Sequence, residues 1–109
     1  EPRNRLLDET GRYVLAECKN WSSPAGAKHL RDFLVKMQDC HVQLGIFFSR
    51  NGVTGTDDKD AVGVTKKTFH REGRLLVVLD LEDLRAIAAG EDLSGLLDRR
   101  CDSLRFQFA

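Results

Sequence analysis

The sequence predicts an α/β domain: a mixed β-sheet, made of an N-terminal hairpin plus parallel crossover strands, flanked by helices. Three observations predict it. Short apolar runs within 12–19, 42–49 and 75–79 have the length and the β-branched or aromatic content of strands. Stretches with helical spacing of apolar residues lie between and after them. Segments bearing glycine, serine and asparagine punctuate the boundaries.

Residues 3–7 and 12–19 are expected to pair as a hairpin. Asp8-Glu9-Thr10-Gly11 between them is turn chemistry, and Gly11 can take a positive φ. Ser22 or Ser23 then caps a helix over 24–39, with Pro24 in its first turn, where a missing N–H does no harm. Leu30, Phe33, Leu34 and Met37 form its apolar face. Residues 42–49 are apolar at nearly every position, the pattern of a strand buried on both faces and parallel to its neighbour. Strand, helix and strand in succession make a right-handed crossover.

The loop that follows contains Asn51-Gly52 and Gly55. Thr56 is the expected cap of a helix over 57–72, whose apolar face of Ala61, Val62, Thr65, Thr68 and Phe69 is weak and which Gly73 ends. Leu75 to Leu79 make a third buried strand. Asp80 caps a short helix marked by Leu81, Leu84 and Ile87 and stopped by Gly90. Asp92 caps the last helix, which carries Leu93, Leu96, Leu97 and Leu104.

At 109 residues the chain has room for one domain with a real core. Seventeen Lys and Arg balance seventeen Asp and Glu, so any attraction for nucleic acid must come from a local patch. Cys18, Cys40 and Cys101 are odd in number and lack CxxC spacing, which favours free thiols in a reducing cytoplasm over a zinc site or a disulfide framework. No apolar run approaches the ~18 residues of a membrane helix. The first residues lack the apolar core of a signal peptide. The expected location is therefore the cytoplasm, with no membrane partner.

The chemistry-bearing stretch is 12–21, RYVLAECKNW. Side chains alternate across a strand, so Glu17 and Lys19 share one face while Cys18 points to the other, into the core. A carboxylate beside an ammonium at a strand end is either an ion pair or a site built on a rigid element.

Glu17-Cys18-Lys19-Asn20-Trp21, then Phe33 on a helix, then Leu44-Gly45-Ile46-Phe47-Phe48-Ser49 and Asn51-Gly52-Val53-Thr54, resembles the PD-(D/E)xK restriction-endonuclease-like nuclease superfamily in its Mrr-like branch. The similarity spans about residues 12–80. The resemblance implies a metal-dependent endodeoxyribonuclease of restriction or defence type. Glu17 matches the family's metal ligand, the backbone carbonyl of Cys18 its usual further ligand, and Lys19 the lysine that orients water and offsets charge on the phosphate. The implied cofactor is Mg²⁺ or Mn²⁺, which polarises the phosphate and acidifies a bound water.

The chain departs from the pattern at one point. The family's acidic residue on the preceding strand has no clear counterpart: Asp8 falls in the turn, and Glu1, across from Glu17, is a weak candidate metal ligand. The single domain, 1–109, is therefore expected to be a fragment lacking the family's first helix and strand. DNA, further domains of a longer chain and a second copy of the chain are the expected partners.

Asn20, Ser49 and Arg50, together with Lys66, Lys67 and Arg71, are candidate nucleic-acid contacts. The alternatives are a structural loop for the first group and a solvated helix face for the second. Trp21 could stack on a base or cover the end of the core. His29 and His41 are read as surface or helix-end residues. Two rival functions remain: a catalytically inactive nuclease-fold module for nucleic-acid binding or assembly, and a small α/β interaction domain in which ECKN is coincidental.

Overall fold

The computed structural model describes residues 6, 10–55 and 60–106. In chain order these form β1 (Val14–Lys19), α1 (Ala27–Asp39), β2 (Leu44–Ser49), α2 (Ala61–Glu72), β3 (Leu75–Leu79), α3 (Leu81–Ala88) and α4 (Leu93–Phe106). The strands lie in the order β1-β2-β3, and both pairings are parallel. Each crossover contains a helix, as parallel pairing requires.

Helices on both faces bury β2 and β3 almost completely, which explains their nearly unbroken apolar runs. On one face Leu44, Ile46, Leu75, Val77 and Leu79 pack with Leu96, Leu97 and Cys101 of α4. On the other, Phe47 and Leu76 meet Leu30, Phe33 and Met37 of α1 and Val64 of α2. Each fully buried side chain of this size contributes about 1.5–3 kcal/mol. Gly45 sets how closely α1 approaches β2. A Cβ there would lie 2.5 Å from Met37 Sδ and 2.8 Å from Phe33 Cε2. Phe33 meets Phe47 edge-on, with ring centroids 5.5 Å apart.

Several expected boundaries are present. β3 spans Leu75–Leu79 as expected. Gly73 ends α2 in the left-handed conformation, and its N–H donates to the Phe69 carbonyl at 2.8 Å. Asp80 caps α3 in a reciprocal box: its carboxylate accepts from the Asp83 N–H at 3.0 Å, and Asp83 accepts from the Asp80 N–H at 2.9 Å. The Asp92 carboxylate accepts from the N–H groups of Ser94 and Gly95 at the start of α4.

Other expectations are corrected. Leu6 and Thr10, in the expected first strand and its turn, have helical backbone, and the Thr10 hydroxyl donates to the Leu6 carbonyl at 2.8 Å. Leu6 is buried and belongs to the core cluster that includes Leu44 and Leu97. The other residues of 3–9 lie outside those described. Among the described residues the sheet is thus parallel throughout, not mixed, and β1 is an edge strand.

The helix expected from Pro24 starts at Ala27, capped by Gly26 and not by Ser22 or Ser23. Ala25 forms a parallel bridge with Val53, accepting from the Thr54 N–H and donating to the Gly52 carbonyl, both at 3.0 Å. That bridge keeps the chain extended past Pro24. α2 begins at Ala61, and the Thr56 cap falls outside the described residues. Among the described residues no helix is long and apolar enough to cross a membrane.

Candidate functional site

Strand alternation places Glu17 and Lys19 on the face of β1 that α1 covers, with Lys19 Nζ 4.0 Å from Glu17 Oε2. A third group joins them from α1: Lys36 Nζ donates to Glu17 Oε1 at 2.5 Å. The hydrogen bond to Glu17 and then the carboxylate charge hold the Lys36 ammonium above its usual 10.5. Glu17 therefore sits between two cations. Lys36 escaped sequence reasoning because its partner lies 19 residues away on the preceding strand, where no local spacing rule reaches.

Beyond Lys19 the chain is organised by aromatic stacking and loop hydrogen bonds. Lys19 Nζ lies 5.2 Å from the centroid of the Trp21 ring, within cation–π range. Trp21 also packs against His29, with ring centroids 4.4 Å apart and planes tilted by 59°. His29 is thus a packing partner, a role that its position in the sequence did not signal. Asn51 Nδ2 donates to the Trp21 carbonyl at 2.7 Å, and the Arg50 N–H donates to that of Lys19 at 3.1 Å. Ser49 is buried, and its hydroxyl donates to the Gly52 carbonyl at 2.6 Å. Asn20 and Arg50 are exposed at the strand ends.

Cys18 is exposed, which corrects its expected burial. α4 and α3 cover β2 and β3 on that face but stop short of the edge strand, so Val14, Ala16 and Cys18 face outward uncovered. Cys18, Phe48 and Leu79 are register neighbours across the three strands. With Leu81 and Leu84 they floor an apolar pocket of about 560 Å³, with Arg50 and Asp80 on its lining. It opens at the carboxyl ends of the strands, where loops diverge in parallel sheets. Three separate segments build it, so no single motif announced it.

Among the described residues the oxygen donors available to a metal are few. Lys19's carbonyl bonds on the β2 side, and backbone groups alternate along a strand, so the Cys18 carbonyl points to the open edge of β1. The Glu17 carboxylate and this carbonyl are two hard donors of the kind Mg²⁺ accepts while keeping several waters. Among the described residues no group of three His, Cys, Asp or Glu gathers at one point. Glu1 lies outside the described residues.

The basic cluster of α2 is divided by the helix. Lys67 and Arg71, one turn apart, line a groove of about 220 Å³ between α1 and α2, joined there by Arg31 of α1. Lys66 does not line it. No protein-family model matches the chain, and neither a curated protein nor a solved structure matches it.

Proposed function

We propose that this domain is a metal-dependent deoxyribonuclease module of the PD-(D/E)xK, restriction-endonuclease-like type, acting on DNA in the cytoplasm as part of a longer protein. One observation carries the reading. Glu17 and Lys19 stand side by side on one face near the carboxyl end of a strand, and a helix and a parallel strand follow in direct succession. Glu17 and the Cys18 carbonyl would hold a Mg²⁺ or Mn²⁺ ion, which supplies charge stabilisation at the phosphate and a more acidic water. Lys19 is held near the site by Trp21 and Glu17, and its ammonium offsets charge that develops on the phosphate. The Lys36 ammonium occupies one oxygen of Glu17 and has to yield it when the carboxylate takes up a cation.

That last contact also favours a second reading. A carboxylate already neutralised from within the chain suits an inactive nuclease-fold module for nucleic-acid binding or assembly. The two separate in one experiment on the protein encoded by the complete reading frame: cleavage of supercoiled plasmid with Mg²⁺ or Mn²⁺. The enzyme reading expects metal-dependent cleavage that Glu17→Gln lowers by orders of magnitude, because the substitution removes the charge and keeps the shape. Cleavage by Glu17→Gln at the wild-type rate would refute the assignment. An inactive wild type that still binds DNA establishes the second reading.

A further inference from the structure

The two flanks of α1 carry different chemistry. With 3.6 residues per turn, Leu30, Phe33 and Met37 face the core, while Lys36 and Arg31 stand on opposite sides of them. Lys36 reaches Glu17 on β1. Arg31 and Leu34 face α2 and line the groove with Val64, Lys67 and Arg71. The groove is therefore separated from the Glu17 centre by the width of a helix.

Its charge is one-sided. Glu72 is the acid on its lining, and that carboxylate already accepts from Arg74 Nη1 at 2.5 Å and from Gln38 Nε2 at 2.9 and 3.0 Å. Thr68 gives its hydroxyl proton to the Val64 carbonyl. Asp32 of α1 acts on Lys36 on the other flank. Arg31, Lys67 and Arg71 are exposed, and none of them pairs with a carboxylate among the described residues. Three cations from two helices around one groove, without a carboxylate partner among the described residues of a chain of zero formal net charge, concentrate positive potential that a bound anion would complete.

We propose that Arg31, Lys67 and Arg71 form a phosphate-binding groove that holds consecutive backbone phosphates of a nucleic-acid strand. Lys67 and Arg71 are spaced i,i+4, which puts their Cβ atoms about 5–6 Å apart and gives two cation positions along one line, with Arg31 closing the groove from α1. A row of cations matches a row of phosphates better than one isolated anion. The guanidinium groups can each hold two oxygens of a phosphate, and the lysine supplies a point charge. The nucleic-acid ligand rests on the reading proposed above, but no catalysis by Glu17 is required.

The test reads binding alone, on the Glu17→Gln background, so its failure leaves the catalytic assignment untouched. Anisotropy of a labelled short DNA duplex is followed while salt is varied. The triple variant Arg31→Gln/Lys67→Gln/Arg71→Gln is expected to keep its fold, since all three side chains are exposed, and to weaken binding alike across duplex sequences. The slope of log K against log salt should fall by about three, roughly 0.9 per phosphate contact. The control Lys28→Gln removes an exposed charge from α1 outside the groove and should leave affinity within about twofold. Three results would overturn the proposal: no duplex binding by the Glu17→Gln parent, an unchanged slope in the triple variant, or an equal loss per charge in the control. Pyrophosphate binding that the triple variant abolishes, without duplex binding, also overturns it by assigning the groove to small phosphorylated molecules.

Discussion

Glu17 shows how little of a side chain's surroundings a local pattern carries. Its relation to Lys19 follows from strand alternation alone, whereas Lys36 reaches it only because α1 folds back over β1. This contact has a pH signature. The lysine value is raised on folding, so the stability that Lys36 contributes is fully present below its unfolded value of 10.5. It is lost as pH rises through the higher folded value. Urea unfolding should therefore show Lys36→Met slightly less stable than wild type at neutral pH, with the difference vanishing in strongly alkaline buffer. A difference that grows with pH would show that Lys36 is not held by the carboxylate. Cys18 teaches the complementary lesson. Its parity was legible, but its exposure depended on how far α4 extends across the sheet.

Among the elements, those whose ends are decided by near neighbours could be read directly. β3 is five apolar residues with Arg74 before it and Asp80 after it, and Asp80 finds its capping partner three residues on. α1 could not be read in this way. Its start is deferred by the bridge between Ala25 and Val53, which joins segments on either side of the crossover. The seat of α1 on the sheet is also a long-range matter, and Gly45 tests it. In an ordinary strand position Gly→Ala gains about 0.5–1 kcal/mol from reduced chain entropy. Here the new methyl meets Met37 and Phe33, both fully buried, so Gly45→Ala should instead destabilise by about 1–3 kcal/mol. Denaturant midpoints decide between the signs, and a stabilised variant would mean that α1 stands further from β2.

At the scale of the molecule, β2 is the only described strand with two neighbours, and the two crossovers meet on it. The α/β class with helices on both sheet faces was legible because β2 and β3 are apolar on successive positions. The expected antiparallel member falls mostly outside the described residues, and Leu6 and Thr10, its described positions, have helical backbone. What remained was an edge, and the edge has a consequence for proton exchange with solvent. Backbone groups of β1 alternate in direction, those of Lys19 and Glu17 toward β2, those of Cys18 and Ala16 outward. In deuterated water the amides of Glu17 and Lys19 should persist, while those of Ala16 and Cys18 should be replaced orders of magnitude sooner. The strand would then show two clocks running at alternate residues. Equal protection along it would reveal another segment of chain hydrogen-bonded to that side.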